Sequence, residues 1–367
     1  MLQPPPAEPG MREEEVDTPA LILDLDAFEA NLDHMAGLAA AAGVKLRPHA
    51  KTHKSPVIAH RQLARGAVGQ CTQKVAEAEI LAWGGVPDIL VSNEVVGPRK
   101  LARLAALTRI ARVAVCADHP DGVAAVEAAA EAAGTRLAVL VEIDVGTGRC
   151  GVAPGEEAVA LARRIAASRH LVFGGLQAYH GRAQHLRTPA EREAAIGGAV
   201  SLVREARELL AAAGLPAPRV TGAGTGTYLL EAGSGVYDEL QVGSYALMDA
   251  DYARNEPGPA GHFAHALKLY ATVISTAVPG QAVLDVGLKG VAVDSGLPFA
   301  EGMTVRGVSD EHCVVVPPAD RQLALGDKVA LIPGHIDPTC NLHNWFVGVR
   351  GGVVEALWPI AGRGGGL

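Results

Sequence analysis

Leu46-Arg47-Pro48-His49-Ala50-Lys51-Thr52-His53-Lys54 is the stretch on which the reading of this chain turns. A run of β type, residues 44–47, climbs out of a helix and ends in a lysine flanked by two histidines. Residues at the end of a strand are held in position, which suits covalent chemistry. An amine close to cationic or partly desolvating neighbours has its pKa lowered and becomes a usable nucleophile. Taken alone, the stretch fits a basic loop with two histidines equally well, so the surrounding chain has to decide.

Downstream, strands and helices alternate. Short apolar strands are expected at 44–48, 67–71, 88–92, 112–116, 137–143, 172–178, 219–221 and 239–242, with helices at 75–83, 99–107, 122–133, 156–167 and 189–213. The last helix opens Thr188-Pro189-Ala190-Glu191, a capping threonine, a proline at the first helical position and a glutamate that closes the box. Eight such strands over about 200 residues is the count of a (β/α)8 barrel, an α/β fold. A doubly wound open sheet also alternates but rarely needs eight units.

Upstream, residues 1–16 hold Pro4-Pro5-Pro6 and Glu13-Glu14-Glu15, cannot fold locally and are expected to form a mobile arm. A strand at 20–24 follows Thr18-Pro19. Asp26 and Glu29 then have capping-box spacing, and Leu32, Met35 and Leu38 continue an apolar helical stripe to Gly43. Beyond Tyr252 the pattern changes. Asn255-Glu256-Pro257-Gly258-Pro259 reads as a linker, and the strands at 266–275, 282–287, 313–316, 328–332 and 345–349 have no helices between them. This divides the chain into an arm (1–16), a barrel (17–257) and a small antiparallel β-domain (258–367). The strand at 20–24 is surplus to the eight and is available to pair with the β-domain.

The 367 residues are 49% hydrophobic, enough for one large domain and a smaller one, and the net charge is −8 with no basic stripe. Nucleic acid and anionic membrane are therefore not expected as partners. Five scattered cysteines without CxxC spacing point to a reducing compartment. Neither a signal segment nor an apolar run of about 18 residues is present, and a soluble, cytoplasmic protein is expected.

In a barrel, chemistry collects at the C-terminal ends of the strands. Here those ends are Lys51, Thr72, Asn93, Ala117, Asp144, Gln177, Gly222 and Gly243 in turn. Thr221-Gly222-Ala223-Gly224-Thr225-Gly226-Thr227 follows the seventh strand and precedes a short helix, where amides and hydroxyls make an anion site. Asp144-Val145-Gly146-Thr147-Gly148-Arg149-Cys150-Gly151 is a second glycine-rich turn, and its Arg149 could point a guanidinium into the barrel mouth. In the β-domain, His335 and Asp337 stand two apart on what reads as an extended segment and would point the same way, a pair suited to Mn²⁺, Zn²⁺ or Mg²⁺. Cys340 is a further candidate ligand or a buried free thiol.

Six motifs in order carry a resemblance: RPHAKTHK (47–54), DVGTGRCG (144–151), GLQAYHGRAQH (175–185), TGAGTGTY (221–228), GSYALMDADY (243–252) and PGHIDPTCNLHNW (333–345). They resemble the fold-type III pyridoxal-phosphate enzymes, the alanine racemase-like group, and within it the D-threonine aldolase and D-serine dehydratase branch. The resemblance implies that Lys51 holds pyridoxal 5'-phosphate as a Schiff base, and that Gly224 and Thr225 hold its phosphate. It implies Arg149 near the phenolic oxygen, Gln177 and Tyr179 near the ring, and a divalent metal on His335 and Asp337. His185 is similar to the aldolase base that acts on the substrate hydroxyl, with His180 as the alternative. A homodimer is implied as well.

The implied activity is cleavage of D-threonine or related β-hydroxy-D-amino acids to glycine and an aldehyde. Dehydration of D-serine or 3-hydroxyaspartate is the competing reading. Dehydratases of this branch look like His-x-Cys at the metal, and Asp337 at that place shifts the expectation toward a harder ion, Mn²⁺ or Mg²⁺, and the aldolase. Racemisation needs two opposed bases and no metal. A non-catalytic pyridoxal-phosphate carrier would resemble a lone barrel without the β-domain.

Overall fold

The structure, a computed structural model, describes residues 3–258 and 261–365, so Pro259 of the expected linker lies outside it. The chain divides into two compact units, one of residues 3–34, Thr52–Val57 and Ser244–Gly364, the other of Met35–Lys51 and Ile58–Gly243.

After β1 (Ala20–Asp24) come the strands of the second unit: β2 (Lys45–Leu46), β3 (Gln70–Thr72), β4 (Asp88–Glu94), β5 (Arg112–Ala117), β6 (Leu137–Glu142), β7 (Leu171–Ala178), β8 (Val220–Gly222) and β9 (Glu239–Leu240). They are parallel, in the order β2-β9-β8-β7-β6-β5-β4-β3. The ends of that row meet where His49 bridges Cys71, with the Cys71 amide donating to Pro48 O and the Ala50 amide to Cys71 O, both at 2.8 Å. The (β/α)8 barrel is the fold found.

Alternation along the strands sorts side chains to two faces. Ile89, Val91, Val113, Val115, Val139 and Val141 pack with helix residues such as Leu104, Val126 and Ile165 in one core. The intervening Leu90, Ala114, Cys116 and Leu140 form a separate cluster with Cys71 inside the sheet. Proline opens the helices Pro56–Leu63, Pro98–Ala106, Pro120–Ala132 and Pro189–Ala212, at the position where its missing N–H costs nothing. The box read at Thr188 is present: the Glu191 amide donates to Thr188 Oγ1 at 3.3 Å and the Thr188 amide to Glu191 Oε2 at 3.0 Å.

The other unit contains β1 and β10 (Leu267–Ser275), β11 (Ala282–Leu284), β12 (Phe299–Ala300), β13 (Thr304–Val308), β14 (Cys313–Val316), β15 (Lys328–Ile332), β16 (Trp345–Arg350) and β17 (Val353–Pro359). Its main path is β13-β14-β11-β10-β1-β16-β17, with β15 pairing both β10 and β12. The surplus strand β1 lies antiparallel to β10 and parallel to β16, and every other pairing in this sheet is antiparallel.

Three expectations need correction here. Residues 7–16 are not a mobile arm: Gly10 N donates to Val354 O and Val354 N to Met11 O, and Ala7 and Val16 are buried against Val347, Val349 and Val354. A neighbouring strand supplies the partners that the segment cannot find locally. The boundary expected at 257 falls after Gly243, because the Ala250 and Asp251 amides donate to Pro333 O and Gly334 O. The strands β12, β13 and β17 were not expected. Two are short or interrupted by Gly307, and β17 follows the Gly351-Gly352 turn.

Candidate active site

Parallel strands deliver the residues after them to one rim of a barrel. Lys51, half-buried, follows β2, and its amide donates to Nδ1 of the buried His49 at 3.4 Å. His49 Nε2 lies 3.1 Å from both Ser92 Oγ and Gln73 Nε2. The imidazole thus acts as a brace two residues before the lysine, joining the first strand end to those of β3 and β4.

Across the barrel, β8 ends at Gly222, where a Cβ would stand 2.0 Å from Ala178 O. Ala223 takes a left-handed φ of 69°, and a Cβ on Gly224 would meet Gln184 Oε1 at 2.5 Å. Gln184 is buried behind this loop. Its Oε1 accepts the Gly226 amide at 3.0 Å, and its Nε2 donates to Thr227 Oγ1 at 2.8 Å and to His180 O at 3.2 Å. Thr227 Oγ1 in turn donates to Glu231 Oε1 at 2.8 Å. Among the described residues the Ala223 and Gly224 amides donate to no protein acceptor. Buried amides need a partner, and a side-chain-free turn of such donors fits the phosphate of pyridoxal phosphate.

The Asp144 turn is tied from within. Gly146 and Gly148 amides both donate to Asp144 Oδ1 at 3.0 Å. Against the opposing effect of burial, the amides of Gly148, Gly146 and Thr147 hold the Asp144 carboxyl below its usual range. Thr147 Oγ1 donates to Tyr179 O at 2.9 Å and accepts the Gly181 amide at 2.7 Å. Further along the turn, the Arg149 guanidinium lies 5.9 Å from the centre of the Tyr179 ring. Gln177 is buried and shares hydrogen bonds with Gln241.

His180 is half-buried beside Gly146, whose Cβ, if present, would stand 2.6 Å from Nε2. Burial lowers its pKa, with Asp144 opposing and Arg182 adding to the fall. His185 is exposed and ends the 3-10 turn Gly181–His185. Lys51, Arg149, Gln177, Tyr179, His180, His185, Gly224 and Thr225 all belong to the barrel unit.

His335 and Asp337 belong to the other unit, and the extended segment expected there is a helix. His335 is the N-cap of Ile336–Cys340, with extended φ and ψ of −142° and 122°, and Asp337 is in the first turn. Pro338 is tolerated there because first-turn N–H groups have no intrahelical acceptor. His335 Nδ1 lies 2.6 Å from Asp294 Oδ2, so Nε2 is the ring nitrogen that could meet a metal. The buried Asp249 accepts the Tyr252 and Ile336 amides at 2.9 and 3.2 Å, and its charge and that of Asp337 bear on one another. Burial raises Asp249 to about 6. An imidazole and a carboxylate are donors suited to a hard or borderline divalent cation. Cys340 is buried with its thiol pKa raised, first by burial and then by Asp337.

Motif reading missed Gln184, Gln241, Asp249 and Asp294. Asp249 had a signal, since it stands where an N-cap is expected before Ala250–Ala253. The others are defined by partners 41 to 64 positions away. Also missed is Glu142, the last residue of β6, whose carboxyl is raised to about 9 by burial and by Glu94.

A parallel eight-stranded barrel with a lysine at its first strand end and a glycine loop after its seventh, continued by a β-domain, defines the alanine racemase-like class. The family model for the alanine racemase N-terminal domain matches residues 23–251 and that for a serine dehydratase domain residues 266–349, and the chain belongs to this family. It is 48% identical over 371 residues to a 3-hydroxy-D-aspartate aldolase of Paracoccus denitrificans (strain Pd 1222), covering 98% of this chain and 96% of that one. It is also 48% identical over 366 residues to a D-threonine aldolase of Arthrobacter sp, with the same coverages. The crystal structure of D-threonine aldolase from Filomicrobium marinum superposes with a TM-score of 0.97 at 48% identity, covering 99% of this chain and all of the other.

Proposed function

We propose that this protein is a pyridoxal-phosphate- and divalent-metal-dependent carbon–carbon lyase that cleaves β-hydroxy-D-amino acids to glycine and an aldehyde. The observation that carries the reading is the extent of the similarity to two kinds of aldolase, which takes in the barrel and the β-domain together.

In this reaction the Cα–Cβ bond breaks, the β-oxygen's electron pair forms the aldehyde carbonyl, and Cα takes a proton to become glycine. Bound through Lys51, pyridoxal phosphate supplies the sink for the electron pair left on Cα. Gly224 and Thr225 would hold its phosphate, with Arg149 near its phenolic oxygen and Gln177 and Tyr179 near its ring. His185 takes the proton of the β-hydroxyl, with His180 as the second candidate. The lowered His180 pKa favours the neutral form that a base requires, and its ring lies against Gly146. His335 and Asp337 would hold the metal, which as a Lewis acid would supply stabilisation of negative charge at the site. The carboxylate at 337 favours Mn²⁺ over Zn²⁺. The reading includes a homodimer, carried by the family resemblance, and a cytoplasmic location, carried by five scattered cysteines without CxxC spacing. No helix among the described residues is long and apolar enough to cross a membrane.

The test is product analysis with D-threonine and with 3-hydroxy-D-aspartate, after reconstitution with pyridoxal phosphate and Mn²⁺, with and without EDTA. Glycine and the matching aldehyde, lost on EDTA treatment and in Lys51→Ala, are expected. A 2-oxo acid with ammonia would assign the protein to the dehydratases instead.

A further inference from the structure

Three strand ends of the barrel bring together acidic and thiol groups that the cofactor reading does not use. Glu94 ends β4, Asp118 directly follows β5, and Cys150 lies in the turn after β6. A carboxylate oxygen of Glu94, one of Asp118 and the Cys150 Sγ all lie within 4.8 Å of one another. Glu142, only 6% exposed, has its carboxyl within hydrogen-bonding reach of Glu94, and its Oε2 is buried without a hydrogen-bond partner. Glu94 Oε1 is also buried and unpartnered. Asp118 is held in place, since its Oδ2 accepts the Gly151 amide at 3.0 Å. A cavity of ≈ 260 Å³ is lined by Glu94 and Asp118 together with His119 and Asp121.

We propose that Glu94, Asp118 and Cys150, with the buried Glu142 carboxyl beside them, bind one Zn²⁺-like divalent cation, additional to the metal proposed at His335 and Asp337. A divalent ion between Glu94, Asp118 and Cys150 would draw the carboxylate oxygens to it and take the place of the thiol proton. A thiolate with carboxylate oxygens is a donor set for Zn²⁺, and Mg²⁺ or Ca²⁺ would not select the sulfur. Ligand atoms on one Zn²⁺ sit roughly 3.5 Å apart, so side-chain shifts of about 1 Å close the site. The bound ion would pin the turn that carries Arg149 to the ends of β4 and β5.

The experiment uses the holoenzyme and a His335→Ala/Asp337→Ala variant, with Zn²⁺ measured by equilibrium dialysis and Cd²⁺ by the ultraviolet thiolate-to-metal absorption band. One equivalent of Zn²⁺ should remain in the double variant, and Cd²⁺ should give the band in both proteins. Cys150→Ser should abolish the band, and Glu94→Gln should weaken Cd²⁺ binding at least about tenfold. Wild-type holoenzyme that gives no band with Cd²⁺ overturns the proposal, whatever the variants do. So does a band that survives Cys150→Ser, or a double variant with wild-type circular dichroism that binds no Zn²⁺. None of these readouts depends on which reaction the protein catalyses.

Discussion

Gln177 and Gln241, 64 residues apart, exchange side-chain hydrogen bonds inside the barrel: Gln241 Nε2 donates to Gln177 Oε1 at 2.6 Å, and Gln177 Nε2 donates back at 3.2 Å. Gln241 also donates to Thr221 Oγ1 at 2.8 Å, so the ends of β7, β8 and β9 are tied by one buried amide. Gln241→Leu leaves the Gln177 amide buried without its partner, at a cost of about 1–3 kcal/mol. Urea unfolding should show this loss, and Gln177→Leu/Gln241→Leu should recover part of it. A double variant less stable than the single one would refute the pairing argument.

Below that layer, the guanidinium of the buried Arg47 donates to Glu239 at 2.7 Å and to Asp88 at 2.6 Å. Arg219 is 3.7 Å from Glu239 and cannot replace the close contact. Arg47→Met strands a buried carboxylate and should destabilise by roughly 3–5 kcal/mol. Replacing Glu239 by Gln in the same chain should restore stability. The thermal midpoints of the two variants decide the matter, and equal midpoints would count against a charge penalty.

Burial pushes Glu231 from its ordinary 4.5 up to about 7. In that interval the folded protein binds more protons than the unfolded chain, so stability falls as pH rises from about 4.5 to about 7 and is level above. Glu231→Gln keeps the acceptor for Thr227 Oγ1 without the charge. It should be more stable than wild type by up to roughly 3 kcal/mol at about pH 8, with the gap closing toward about pH 5. Denaturation midpoints over that range test this, and a gap independent of pH would contradict it.

Asp294 holds His335 Nδ1 at 2.6 Å, which fixes the ring and keeps its other nitrogen available to a metal. Asp294→Asn should weaken Mn²⁺ binding about 10–100-fold while leaving the fold intact. Equilibrium dialysis with Mn²⁺ and circular dichroism of the same samples provide the check. Unchanged affinity would remove His335 from the metal site or Asp294 from its support.

The barrel was legible because its signals are local. Strand and helix periods, the proline at helix starts and the box at Thr188 all act within four residues, and all are present. The glycine loop after β8 was legible for the same reason. His335 and Asp337 were read on the wrong backbone: period-two reasoning assumes a strand, yet Asp337-Pro338 after a potential cap is a first-turn signature. Gln184, Gln241 and Asp294 carried no local signal, because what defines them is register between distant strands and loops. The arm misled in the opposite direction. A segment unable to fold on its own can still be ordered by a partner remote in sequence, here β17.

That pairing also bears on the order of events during synthesis. Residues 10 and 11 bond to Val354, and β1 fits between β10 and β16. Residues 10 and 11 and β1 must therefore wait for β10, β16 and β17 before they have a place, whereas each barrel strand beyond β2 emerges soon after a neighbour. Long loops close slowly and expose their apolar residues meanwhile. Val16 and Ile22, which pack against Val347, Val349 and Val354, therefore stay uncovered until that distant segment has been made.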